Sequence, residues 1–218
     1  MKTPTLLLTK EDITNKLRLL FFVFCLTAIF GYEALSATTL PEGKLKVESG
    51  KMHFTLVKTS SSGYDPEMTE FSSMTGLAND LTGYVNLKDK TFDMTMNVSL
   101  DSFSLSGKFK FANNRMHETH LESFKFSTTN YKGTIVSYDP ATGLAKVIGK
   151  LTVHGVTKDN VTIEGKVTPS KVTKGNFLLS ADFKVNLNDF SIEVPNTKLT
   201  KVSEIVKLKI KIELKSEK

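Results

Sequence analysis

The sequence LTVHGVTK, residues 151–158, ends one alternating strand and leads into a second. Apolar side chains recur at alternate positions on both sides of it. On the first strand they are Ala145, Val147, Leu151 and Val153, and on the second they are Val161, Ile163 and Val167. Such alternation predicts half-buried antiparallel strands, and Gly155 can take the backbone angles of a tight reversal. We therefore expect a hairpin here, with its second strand beginning at Val161.

Most of the chain beyond residue 43 repeats this pattern. The alternation predicts strands at residues 44–48, 52–58, 81–87, 91–100, 131–138, 144–154, 161–167, 177–187 and 206–214. Each of them has one apolar face, and a sheet of such strands covers that face by closing into a barrel or by stacking as a sandwich. The pattern therefore predicts an all-β, antiparallel domain of about eight strands.

The alternation is interrupted between residues 102 and 130. Residues 113–123 carry mixed charges and histidines and predict about three turns of helix within a long loop. Asn113 or Asn114 is placed to cap that helix.

The first 37 residues are typical of a secretory signal peptide. Cations at Lys2, Lys10, Lys16 and Arg18 precede an uncharged apolar run, residues 19–32, and small residues follow it. The run is shorter than the roughly 20 residues that a spanning helix needs. We therefore expect cleavage after Ser36 or Ala37, a domain at residues 38–218, and a mature protein that is periplasmic or secreted and not integral to the membrane. An uncleaved anchor is the alternative.

Composition excludes several classes of function. The single cysteine, Cys25, lies in the apolar run, so the predicted mature domain contains no disulfide. The full chain has a net charge of +6, and the predicted mature part, with 25 Lys and Arg against 20 Asp and Glu, keeps a net charge of +5 that is spread along alternating strands, as is typical of a solvated sheet face. A nucleic-acid surface uses clustered arginines among aromatics, whereas Arg115 is the only arginine after residue 37. We expect no nucleic-acid partner.

Three segments resemble the YceI-like family. They are LTVHGVTK at 151–158, NRMHETHLESFKFSTTNYK at 114–132, and FKVNLNDFSI at 183–192, which is followed by Pro195 and a closing alternating strand. The chain departs from the family pattern at Asp159 and Asn160, where many members have a proline before the next valine. The resemblance implies a single lipocalin-like antiparallel β-barrel, with a short helix in a long loop, exported to the bacterial cell envelope. It also implies that a polyisoprenoid or other long-chain lipid binds inside the barrel.

The resemblance implies that the apolar faces of the strands form a candidate lipid-binding site. The side chains expected in the barrel interior, against a lipid, are Phe92, Met94, Met96, Leu179, Phe183 and Val185. Flexible methionine and planar phenylalanine suit a pocket that adapts to a hydrocarbon chain. The same residues could instead fill the core, which leaves a structural or interaction protein of the envelope without a ligand as the alternative function.

The polar residues favour binding over catalysis. His117 and His120 are spaced to meet on a helix face, but HETH is not the HExxH pattern of zinc proteases, and we predict no metal. We expect His120 and His154 to lie at the barrel mouth. His120 should form hydrogen bonds there, and His154, a residue of the hairpin turn, should form a hydrogen bond with the backbone. No serine or threonine stands in a context that activates a nucleophile. The sequence therefore predicts neither enzyme nor cofactor, and it leaves the lipid's identity and the oligomeric state open.

Overall fold

The computed structural model describes residues 43–59, 73–98, 102–194 and 201–217. The predicted signal peptide lies outside these residues. The described strands are β1 (Lys44–Thr59), β2 (Ser73–Ala78), β3 (Leu81–Asn86), β4 (Thr91–Asn97), β5 (Phe103–Leu105), β6 (Thr128–Tyr138), β7 (Leu144–Val153), β8 (Val156–Pro169), β9 (Phe177–Asn186) and β10 (Lys201–Ser216). None of the described helices is long and apolar enough to cross a membrane.

Eight of these strands close into an antiparallel barrel. Their order around the sheet is β10, β9, β8, β7, β6, β4, β3 and β1, and β1 pairs with β10 to complete the circle. Closure leaves these strands with a partner on both sides, which satisfies their backbone groups and removes exposed sheet edges. The prediction of an all-β barrel of about eight strands is confirmed.

The two short strands β2 and β5 extend the barrel wall at one end. The first part of β1 pairs with β3, and the last pair is Lys46 opposite Tyr84. The later part of β1 pairs with β2 from Met52 opposite Ala78 onward, and the register of the two pairings is the same. β2 therefore continues the line of β3, and β5 pairs with β2 beyond the end of β4. Sequence reasoning missed β2 because its buried positions include Gly76 and Ala78, which give little apolar signal, and β5 because three residues are too few to display a period of two.

β-bulges interrupt the alternation of apolar and polar residues along some of the strands. Residues 44–48 and 52–58, predicted as separate strands, form one strand in which the register shifts between Val47 and Ser49. The extra residue, Glu48, lets odd-numbered Leu45 and even-numbered Phe54 both face inward. Because side chains alternate strictly, one inserted residue reverses which positions face the core.

The hairpin at residues 151–158 has the same explanation. β8 begins at Val156, not at Val161, and the turn contains only His154 and Gly155, whose φ angles of 50° and 72° fit a two-residue hairpin. A register shift between Lys158 and Val161 follows, with Asn160 in the left-handed region. The departure from the family pattern at these positions is therefore a bulge rather than the turn itself.

The excursion between β5 and β6 contains most of the helical residues of the described chain, and a short 3-10 helix, Leu187–Phe190, follows β9. The excursion contains a 3-10 helix (Gly107–Ala112), a single α-turn (Asn113–Arg115) and a π-helix (Met116–His120), so the predicted short helix is present but is less regular than expected. Asn113 does not cap it. Its side-chain Oδ1 accepts a hydrogen bond of 2.6 Å from the Leu105 backbone N–H, which ties the excursion to β5.

Candidate ligand-binding cavity

The barrel encloses a cavity of about 690 Å³. All eight barrel strands contribute side chains to its wall, and the inward positions are almost wholly apolar. The cavity extends to exposed residues at the end of the barrel that carries the excursion, among them Phe111 and Arg115. We call this the open end.

The structure places all six predicted interior residues on the cavity wall. Phe92, Met94 and Met96 face it from β4, and Leu179, Phe183 and Val185 face it from β9. The two strands contribute in the same way because neither has a bulge in the registers it shares with its neighbours. Their role as ligand contacts stays a prediction.

Sequence reasoning assigned too little of the wall to the site. The alternating face of β10 supplies Leu208, Ile210 and Ile212, and β1 supplies Met52 and Phe54. The signal for β10 was the same period of two that identified β9. Phe54 carried a weaker signal, because the bulge at Glu48 breaks the alternation of β1.

One polar group in the interior is already satisfied by the barrel. The Tyr131 hydroxyl of β6 lies 2.8 Å from the Val161 carbonyl oxygen and 3.1 Å from that of Val147, and it donates its proton across the neighbouring strands. Burial raises the pKa of Tyr131 to about 12, so the neutral hydroxyl is the form that the barrel holds. The ring stays as cavity wall, packed edge-on against Phe92.

Two histidines border the cavity at its open end. His120 Nδ1 donates to the Glu193 carbonyl oxygen at 2.8 Å, and its Nε2 is buried without a hydrogen-bond partner among the described residues. His154 Nδ1 lies 3.2 Å from the Phe190 carbonyl oxygen, and its Nε2 lies 2.9 Å from a Glu122 carboxylate oxygen. His120 therefore ties the excursion to the segment that follows β9, and His154 ties the hairpin to the same segment.

His117 is the histidine whose role the sequence did not indicate. It is only 2% exposed, its Nε2 donates to the Phe103 carbonyl oxygen at 2.5 Å, and its Nδ1 lies 3.2 Å from Ser123 Oγ. His117 and His120 thus bond carbonyl oxygens on different elements instead of meeting at one point. Within the described ranges, no three metal-ligating side chains gather into a group.

The arrangement is suited to hold a hydrocarbon chain. Its walls offer apolar contact on all sides. The Tyr131 hydroxyl and both ring nitrogens of His154 are engaged by protein atoms, and His120 Nε2 is the buried polar atom without a partner among the described residues. A concave, preformed apolar site with a few polar groups at its mouth is the usual form of a small-molecule site.

Comparisons with known proteins agree with this geometry. A family model described as a YceI-like domain matches residues 46–214. A polyisoprenoid-binding domain from Saccharophagus degradans has a similar fold, with a TM-score of 0.57, 12% identity, and coverage of 81% of this chain and 100% of that one. The YceI protein of Campylobacter jejuni superposes with a TM-score of 0.54 at 18% identity, over 72% of this chain and 92% of that one.

The comparison with curated protein sequences returns no match. The identities to the solved structures are low, so those structures support the fold alone. The family model covers most of the chain, including nearly all of the barrel. The chain therefore belongs to the YceI-like family.

Proposed function

We propose that this protein is an exported binding protein that holds a long-chain lipid, of the polyisoprenoid or fatty-acyl type, inside its barrel. The observation that carries the proposal is the apolar cavity of about 690 Å³. The family and the polyisoprenoid-binding domain of similar fold support binding rather than catalysis. Export is supported by the cations, apolar run and small residues of the first 37 residues.

The size of the cavity indicates how much ligand it accommodates. A water molecule occupies about 30 Å³ in the liquid. If each non-hydrogen atom of a ligand takes the same volume, the cavity holds about twenty carbon atoms. That is about four isoprene units or one long acyl chain. A longer chain extends through the open end.

The energetics favour a cavity that contains a hydrocarbon chain over one that contains only water. The cavity opens to solvent at one end, so without a ligand its apolar walls stay in contact with water. A buried chain gains about 0.8 kcal/mol for each methylene removed from water. The unfilled interior and this gain argue against the alternative of a filled barrel without a ligand.

The test is extraction of lipid from the purified protein, followed by mass spectrometry. We expect a lipid with a chain of about twenty or more carbon atoms. The variant Ala181→Phe fills the cavity from β9, and we expect it to copurify with much less lipid. The matched control is Lys184→Phe, which adds the same ring on the exposed face of β9 and should retain the lipid.

A clean extract from the wild-type protein, together with no uptake of a fluorescent isoprenoid alcohol, would refute the proposal. Equal lipid content in both variants would place the ligand outside the barrel. Circular dichroism of both variants establishes that each is folded.

A further inference from the structure

The open end displays two large aromatic side chains to solvent. Phe111 is 85% exposed and Phe124 is 80% exposed, and both belong to the excursion between β5 and β6. Phe111 also borders the cavity, so the apolar wall continues from the interior to the outer surface at this point. Exposed apolar surface at the rim of a site is typical of an interaction surface.

The excursion holds these side chains in place. Its start is tied to β5 through Asn113 and through the buried ring of His117, and its end through Glu122 to His154. The backbone N–H of Ser123, one residue before Phe124, donates to the His117 carbonyl oxygen at 2.9 Å. The two aromatic rings are therefore presented by an anchored segment, and not by a loose loop.

Cations accompany the exposed rings. Lys110 precedes Phe111, Lys125 follows Phe124, and Arg115 lies one helical turn beyond Phe111, all with exposed side chains. Exposed Glu118 and Glu193 lie at the same end and partly offset this charge. Exposed aromatic side chains bordered by lysine and arginine are the combination found on proteins that bind the membrane interface.

We propose that Phe111 and Phe124 form a docking surface for a lipid bilayer and insert at its interface, with the mouth of the cavity facing the membrane. A bilayer is the occupant because Phe111 joins the docking surface to the cavity wall, so a lipid can pass from the membrane into the barrel without exposing its chain to water. This step rests on the proposed function. The cations add attraction to anionic head groups, which the nearby carboxylates reduce.

The absence of tryptophan from the sequence allows a direct test in the full chain. The variants Phe111→Trp and Phe124→Trp each introduce a single fluorophore at the open end. Val172→Trp is the matched control, because Val172 is 91% exposed in the connection between β8 and β9, at the opposite end of the barrel. Each variant is mixed with vesicles of phosphatidylcholine and phosphatidylglycerol, with and without brominated lipid.

We expect a blue shift and quenching by brominated lipid at positions 111 and 124, and neither effect at position 172. No response at any position, or the same response at all three, overturns the proposal.

Serine variants test whether the rings supply the binding energy. We expect Phe111→Ser and Phe124→Ser each to weaken vesicle partitioning by about tenfold, since that factor corresponds to the burial of much of a phenylalanine side chain. Val172→Ser should have no effect. Unchanged partitioning of the Phe111→Ser, Phe124→Ser double variant overturns the proposal.

The results separate this proposal from the proposed function. Lipid in the extract with no fluorescence response on vesicles refutes the docking surface alone. A clean extract with the expected fluorescence response refutes the lipid-carrying role and leaves the membrane contact.

Discussion

The two ends of the barrel are built differently. At one end, which we call the closed end, strands are joined by the short connections at residues 87–90, 139–143 and 170–176, and the interior is filled by side chains such as Leu45 and Leu214, each 1% exposed. The open end carries the excursion and the segment after β9 beside the two-residue turn of His154 and Gly155, and the interior there contains the cavity. The barrel therefore keeps the packing that stabilises it at one end and the space of its cavity at the other.

Polar groups follow the same division. At the closed end, Asn176 is buried and donates to Glu48 and to Glu213, and Ser170 donates to the same Glu213 oxygen at 3.1 Å. These bonds join β1, β10 and the connection before β9. At the open end, His117, His120 and His154 fasten the excursion and the segment after β9 to the barrel wall. Hydrogen bonds therefore close one end and fix the rim of the other.

The largest expected effect contrasts one residue type at the two ends. Leu45→Ala removes a side chain from the filled core, and we expect the free energy of unfolding to fall by about 3 to 5 kcal/mol. Leu208→Ala shortens a partly exposed cavity-wall residue, and we expect a loss of about half that size because fewer packing contacts disappear. Urea denaturation followed by circular dichroism measures both, and equal losses would contradict the division of the barrel into two ends.

A smaller effect is expected where the excursion is anchored. His117→Ala removes a buried side chain and leaves the partly buried Phe103 carbonyl oxygen without its donor, and we expect a loss of about 2 kcal/mol. Amide hydrogen exchange should become faster in residues 107–123 and stay unchanged in β7 and β8. His53→Ala, which truncates an exposed histidine of β1, is the control. Uniformly faster exchange throughout the barrel would show that the excursion is not a separate unit.

The smallest effect concerns pH at the closed end. Hydrogen bonds from Thr173, Asn176 and Ser170 lower the pKa of Glu213 below its ordinary value of 4.5. The folded state therefore favours the ionised carboxylate, and its contribution to stability is present above pH 4.5 and is lost as the pH falls through the lowered pKa. We expect Glu213→Gln to remove this part of the acid dependence.

The measurement for Glu213→Gln is the urea midpoint as a function of pH. Glu164→Gln, which removes an exposed carboxylate paired with Lys146, controls for the loss of a surface charge. If Glu213→Gln and the wild-type protein lose stability in parallel below pH 4.5, the network at the closed end does not act as described.

Much of the wall of the site was predictable because its strands are regular. β4, β9 and β10 alternate over their predicted spans, so the face that carries Phe92, Phe183 and Leu208 can be identified from local pattern alone. The histidines were less predictable. The spacing of His117 and His120 indicates one helix face, whereas the π-turn and the nearby carbonyl oxygens of Phe103 and Glu193 direct the two rings apart.

The bulges mark the limit of local pattern most clearly. At Glu48, and again between Lys158 and Val161, one extra residue keeps the apolar side chains on both sides facing inward, although the alternation in the sequence changes phase. The bulge on β6, where the register shifts between Ile135 and Ser137, has the same effect. The period of two is a property of neighbouring residues, but the phase of each strand depends on its partners.

The sequence by itself determined the strand-rich character, the hairpin at residues 151–158 and the family resemblance, because alternation, turn residues and short motifs are local properties of the chain. Only the tertiary structure decided that the barrel closes between β1 and β10, which join opposite ends of the described chain, and that one half of its interior is filled while the other stays open. An interior volume is the difference between the space that the backbone encloses and the side chains that enter it. Neither quantity exists until distant strands have paired.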